Sequence, residues 1–137
     1  MALRFETVKL RPGKPTWFGL LADGRRVVGL PGNPASGLVC AELFLRPLLN
    51  ALQGAEPGPR LETARLARPL AANGPREHWA RGRLSLLDGV LQAEAMTDQD
   101  SSLVSVFAHA DALIRRCANA PAATVGEVVD ILRLGRL

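Results

Sequence analysis

The run G-A-E-P-G-P at residues 54–59 limits this chain more than any other stretch. Proline and glycine at this density continue neither a helix nor a strand, so the chain on either side must be organised separately. The apolar pattern changes across it. Before it, the residues from about Pro34 to Leu52 read as an apolar helix, with Gly54 placed as its stop and Pro47 expected to kink or split it. After it, residues 61–67, 78–87, 90–95, 111–116 and 127–134 read as short strands separated by turns such as N-G-P and D-G. Residues 101–110 form one or two helical turns between them. The expected organisation is a first part, 1–53, a linker, 54–59, and a small all-β domain, 60–137, of sandwich or barrel type.

Within the first part, residues 4–10 alternate like a strand. Residues 16–21 and 26–30 flank A-D-G-R, a hairpin signal centred on Asp23-Gly24. Three short strands and one apolar helix make a poor core by themselves. Residues 1–53 are therefore expected to be an α/β fragment, the tail end of a larger α/β domain.

Several function classes are disfavoured. The net charge is +4, yet the arginines are scattered and aromatics make up only 4% of the 137 residues, so a nucleic-acid interface is not expected. Cys40 and Cys117 form no C-x-x-C pair and have no histidine nearby, which argues against zinc; no disulfide framework is needed, and a reducing, cytoplasmic setting fits. The N-terminal residues lack the apolar centre of a signal peptide. Glu42, Arg46, Pro47 and Asn50 interrupt the helix, so no membrane span is expected.

Two turns carry the chemistry. In L-P-G-N-P-A-S, residues 30–36, Asn33 is a good N-cap, Pro34 a favoured first helical residue, and Gly32 permits a close backbone approach; Ser36 brings a hydroxyl to the open helix end. A strand, a Gly/Pro turn and a helix start make either an ordinary capped helix or an anion site. In R-P-G-K-P, residues 11–15, two prolines stiffen a turn that holds Arg11 and Lys14 on either side of Gly13. Two cations on a rigid turn suit a phosphate or another oxyanion; solvated charges on a strand-ending loop are the alternative.

R-P-G-K-P followed by G-L-P-G-N-P-A-S and an apolar helix resembles the molybdopterin molybdenumtransferases, which include the molybdate-insertion domain of gephyrin. The likeness continues in R-E-H-W-A-R-G (76–82), similar to the family's R-x-x-F-x-R segment, in T-D-Q-D-S-S (97–102), similar to its Q-G-S segment, and in A-D-A-L-I and G-E-V-V-D-I-L near the end. The resemblance covers essentially the whole chain and implies the C-terminal portion of such an enzyme: the last part of its molybdopterin-binding α/β domain and its complete C-terminal β domain. It implies a reaction in which molybdate is inserted into adenylylated molybdopterin, releasing molybdenum cofactor and AMP with the help of Mg²⁺, in a homodimer.

Carried over residue by residue, the resemblance places Arg11 and Lys14 as cations of the substrate site. Pro31, Gly32, Asn33, Pro34 and Ser36 shape the molybdate pocket, and Arg81 and Ser101 are polar residues of the β domain facing the cleft. Thr7 stands where many members carry a cation, with Lys9 two residues on, and Asp100 replaces a glycine. R-R-C-A (115–118) replaces an apolar strand ending. The family's Gly-rich loop and metal-binding acidic residues are not in this sequence. The chain alone is expected to be inactive, with Mg²⁺ ligands largely elsewhere. A non-catalytic module that docks a partner protein or a molybdopterin ligand is the alternative.

Overall fold

The computed structural model describes residues 1–100 and 104–135. The protein is mostly β. Strands β1 (Ala2–Phe5), β3 (Trp17–Leu20) and β4 (Arg26–Gly29) form an antiparallel sheet in the order β1-β3-β4, while the two-residue β2 (Leu10–Arg11) leaves it. The D-G turn at Asp23-Gly24 closes the β3–β4 hairpin as its sequence predicts. Gly24 has φ +85°, and Asp23 holds the Arg25 backbone N–H and guanidinium at 3.1 and 2.8 Å.

Residues 4–10 do not form one strand. The backbone breaks between Phe5 and Leu10 because the Val8 N–H donates to Lys14 O at 3.0 Å, closing a local turn instead of a ladder. Thr7 and Lys9 therefore do not share a strand face.

The helical stretch begins as expected. Asn33 has extended dihedrals, its side chain accepts from the Ser36 N–H, and Pro34 opens α1 (Pro34–Cys40). A π-helical turn, Ala41–Leu45, joins α1 to α2 (Arg46–Leu52). Pro47 explains it: the ring lacks an N–H and would strike the Leu43 carbonyl of a regular helix, so the preceding turn widens and Arg46 N–H reaches Ala41 O. By length and composition alone Pro34–Leu52 is apolar enough to cross a membrane, with mean hydropathy 1.3. Its midpoint carries a Glu42–Arg46 ion pair, and its Ala35, Val39 and Cys40 face is buried in the protein's own core.

The second part is a small barrel-like domain. Strands β5 (Glu62–Leu66), β6 (Glu77–Leu87), β7 (Val90–Ala95), β8 (Ala112–Arg116) and β9 (Val128–Arg133) follow the expected segments closely, and α3 (Val104–Ala108) supplies the short helix. The order β6-β7-β5-β9-β8 closes on itself through β6–β8 pairing, which removes the free sheet edge. All neighbours in this ring are antiparallel except β5 and β7. Gly82 lies where β6 crosses from β8 to β7. A Cβ there would meet Ile114 Cδ1 at 2.8 Å and Glu94 O at 3.0 Å, so only glycine fits without displacement.

Two cores stabilise the molecule. Leu66, Ala80, Ala93, Ile114 and Ile131 fill the barrel. The second core joins Leu10, Val39 and Cys40 to Trp79, Leu113 and Leu132, so the α1 face and β2 are packed onto the outside of the barrel. The helix and β2 share a core with the β domain, whereas no residue of the β1-β3-β4 sheet belongs to either core cluster. We predict that Ile131→Ala, which empties a fully buried site, lowers unfolding stability by about 3 kcal/mol in urea titrations.

Candidate anion-binding cleft

The R-P-G-K-P turn is built onto α1. Gly13 has φ +120°, a conformation that L side chains avoid, and a Cβ there would lie 2.2 Å from Cys40 Sγ. Buried Thr16 donates its hydroxyl to Gly13 O at 2.8 Å and lies 3.2 Å from Cys40 Sγ. Burial raises the Cys40 thiol pKa, the Thr16 hydrogen bond opposing it, so the group stays a neutral packing element under the turn. Pro12, Gly13 and Thr16 are buried while Arg11 and Lys14 are exposed, and the turn thus presents its two cations outward from an anchored base.

β2 then carries Arg11 to the barrel. It pairs in parallel with the start of β6, Leu10 opposite Glu77 and Arg11 opposite His78. The Glu77 N–H donates to Lys9 O, and Arg76 Nη1 donates to Leu10 O. Between the turn and the barrel lies a cleft of about 430 Å³ lined by Arg11, Lys14, Arg76, His78, Arg81 and Asp100, together with Pro12, Gly13, Pro15 and Gln99. Four cations face one carboxylate in this lining.

Arg81 is the deepest of them, 1% exposed. The segment after β7 grips it: Gln99 Nε2 donates to Arg81 O at 2.8 Å and to Met96 O at 2.7 Å, and Arg81 N–H donates to Gln99 Oε1 at 2.9 Å. Its Nη2 donates to Gln99 O. Its Nε is buried without a hydrogen-bond partner among the described residues. Burial pulls its pKa down, Asp98 and Asp100 offset part of this, and Arg11 adds to it. A guanidinium buried this far and incompletely satisfied gains most from an arriving anion.

His78 sits among these cations. Arg11 Nη2 lies 2.8 Å from its Nδ1, and because a guanidinium only donates, Nδ1 accepts and the ring proton of the neutral imidazole is on Nε2. Burial, then Arg11, Arg81, Arg116 and Arg76, lower its pKa to about 4. On the neighbouring strand, Arg115 pairs with Glu77 at 3.0 Å and lies over the Trp79 ring. Arg116 donates to Ala71 O and Pro121 O. The R-R-C-A departure is thus spent on tying β8 to β6 and its flanking loops.

The structure brings Arg11, Lys14 and Arg81 to one cleft. Pro31, Gly32, Asn33, Pro34 and Ser36 do not line it; Asn33 and Ser36 bond each other at 3.4 Å as a helix cap. Ser101 lies outside the described residues. Asp100 does line the cleft, beside the cations. Arg76, His78 and Gln99 are site residues that the sequence reading passed over. Arg76 and His78 lie in the R-E-H-W-A-R-G segment and Gln99 in T-D-Q-D-S-S, but the partner of His78 stands 67 residues away, so nothing local showed what it faces.

These features define a protein with a small β domain whose outer wall, completed by an anchored proline-glycine turn, presents a cation-lined cleft. The profile of the MoeA C-terminal region (domain IV) matches residues 63–134, more than half of the chain. Two curated relatives are a molybdopterin molybdenumtransferase of Staphylococcus epidermidis, 29% identical over 93% of this chain and 30% of its own length, and molybdopterin molybdenumtransferase 1 of Mycobacterium tuberculosis, 30% identical over 94% of this chain and 32% of its own. The crystal structure of a molybdopterin biosynthesis MoeA protein from Pyrococcus horikoshii superposes with TM-score 0.78 at 26% identity, covering 98% of this chain and 32% of that one. The chain belongs to the molybdopterin molybdenumtransferase (MoeA) family, whose C-terminal region it carries. It spans about a third of the length of these relatives.

Two expectations follow. Gly13→Ala forces both backbone and Cys40 to shift and should cost about 2 kcal/mol in thermal unfolding, whereas Gly24→Ala in the open hairpin turn meets no neighbouring atom and should cost less. His78 is held neutral in the folded protein, so as pH falls from 6.5 toward 4 the unfolded chain takes up a proton that the folded one refuses, and stability is lost across that window. In urea titrations His78→Asn should remove this part of the pH dependence.

Proposed function

We propose that this chain forms one wall of a molybdate-insertion site in molybdenum cofactor biosynthesis, in which adenylylated molybdopterin receives molybdate and molybdenum cofactor and AMP are released. The carrying observation is the convergence of Arg11, Lys14, Arg76 and Arg81 on one cleft whose deepest guanidinium is buried and only partly satisfied. Such a cleft suits a tetrahedral oxyanion or a phosphate: preset donors meet the charge without reorganising when it arrives. Family membership and the names of the relatives supply the identity of the oxyanion.

In this reading residues 1–53 are the end of a molybdopterin-binding α/β domain, 54–59 a linker, and 60–137 the C-terminal β domain of a cytoplasmic, homodimeric enzyme. Pro31, Gly32, Asn33, Pro34, Ser36 and Ser101 belong to the same pocket when the rest of that enzyme is present. Mg²⁺ is not fitted by this chain: among the described residues no group of three or more His, Cys, Asp or Glu side chains is placed to hold a metal ion. Its ligands, and the groups that direct water at phosphorus, belong to the remaining length of the relatives, so the chain alone is inactive. A second reading, a docking module for a partner protein, draws on an apolar groove of about 810 Å³ beside Leu38, Leu84, Phe107 and Leu134.

Calorimetric titration with molybdate separates the two. The insertion-site reading expects binding that weakens with added salt and falls ten- to a hundredfold in Arg81→Ala, while Arg25→Ala in the exposed hairpin turn leaves it unchanged. Equal affinity in the wild type and Arg81→Ala would contradict it, and a docking module alone leaves molybdate unbound.

A further inference from the structure

His78 is an unusual neighbour for an anion cleft. A second buried cation would serve the anion better, and a carboxylate would hold Arg11 more firmly. Instead an imidazole occupies the point where β2, β6 and β8 meet, opposite Arg11 on one strand and Arg116 on the other. Its Nδ1 accepts from Arg11 Nη2 at 2.8 Å. That hydrogen bond requires a neutral ring, so His78 in this state holds one of the cleft's guanidinium groups back from full engagement with a ligand.

Among the described residues, the charged groups around it come from several elements. From β2 comes Arg11, and from β6 and its leading residue come Arg76 and Arg81. From β8 comes Arg116, and the turn adds Lys14 to the same cleft. The segment after β7 brings Asp98 and Asp100, both acting on Arg81, with Asp100 in the cleft lining. Glu77, the adjacent residue, is engaged by Arg115 and by the Trp79 indole N–H. The cations therefore outnumber the carboxylates facing the imidazole, and burial first, then these cations, keep it unprotonated well below its ordinary range. A dianion entering the cleft reverses that balance. It neutralises the same guanidinium groups and offers Arg11 a stronger acceptor than an imidazole nitrogen.

We propose that His78 makes this cleft a proton-coupled oxyanion site: when a tetrahedral dianion binds, Arg11 leaves Nδ1 for the anion, Nδ1 takes one proton from solvent, and the resulting imidazolium becomes a further cation of the site. The inference rests on the cleft being an oxyanion site and adds the residue that couples occupancy to pH. Linkage makes the coupling reciprocal, so the anion binds more tightly as pH falls and His78 titrates higher when the anion is bound.

Inorganic sulfate is the suitable probe, because it remains a dianion throughout the relevant range. The chain has two histidines, His78 and the exposed His109, so imidazole NMR signals are assigned with a single His109→Asn variant. Saturating sulfate should raise the His78 midpoint by about two pH units and leave His109 in place. Calorimetry at pH 5.5 in buffers of different ionisation heat should show proton uptake, and sulfate affinity should be about tenfold higher at pH 5 than at pH 7. His78→Asn keeps an acceptor for Arg11 but cannot titrate, and should bind sulfate with an affinity that hardly changes between those pH values. An unchanged His78 midpoint in wild-type protein saturated with sulfate overturns the proposal, and that measurement needs no variant at His78. Sulfate failing to bind at any pH also overturns it; molybdate binding is read separately, so the parent reading stands or falls on its own titration.

Discussion

Two residues of parallel pairing, Leu10 with Glu77 and Arg11 with His78, join the two parts of this protein. The pairing is short, and its own hydrogen bonds supply little stability. Its consequence is positional. Leu10 enters the core with Val39, Cys40 and Trp79, so the outside of the barrel and the helix face are sealed together around it. The next residue, Arg11, is thereby carried to the mouth of the cleft. Without that pairing the proline-glycine turn would still be a rigid loop with two cations, but it would face solvent rather than Arg81.

The turn is held by contacts that leave little room for change. Gly13 takes a backbone conformation suited to glycine, Cys40 fills the space that a side chain would need, and Thr16 ties the two by its hydroxyl. On the opposite wall, Gln99 performs a comparable task for Arg81 through reciprocal bonds with its main chain. Arg11, Arg76 and Arg81 are thus hydrogen-bonded to neutral partners, while Asp98 and Asp100 act on Arg81 from nearby. Ion pairs of the usual surface kind, Arg68 with Glu94 or Arg133 with Glu62, lie away from this cleft.

Much of the fold was legible in residue patterns. Alternation and turn residues located β5 through β9 and the hairpin at Asp23-Gly24, and Asn33-Pro34 marked the helix start. The break after Phe5 was not legible, because the Val8–Lys14 bond that causes it links residues within an apparently regular alternation. Of the site, Arg11, Lys14 and Arg81 stood out from motif and resemblance. Arg76 and His78 fall within the R-E-H-W-A-R-G segment but were not among the expected site residues, since what they face comes from a register between strands more than sixty residues apart in sequence. The P-G-N-P-A-S turn, prominent in sequence, acts here as a helix cap outside the cleft lining. An N-cap and an anion site draw on the same backbone donors, so the motif announces both roles.

The central claim is that the turn and the barrel wall form one anion site rather than two neighbouring basic patches. A double-mutant cycle on molybdate affinity, using Arg11→Ala, Arg81→Ala and the double variant, tests it most directly. A shared site predicts that the double variant loses clearly less than the product of the two single losses, because the second cation removed has less bound charge to hold. Strict additivity, with each arginine acting as though the other were absent, would contradict the account.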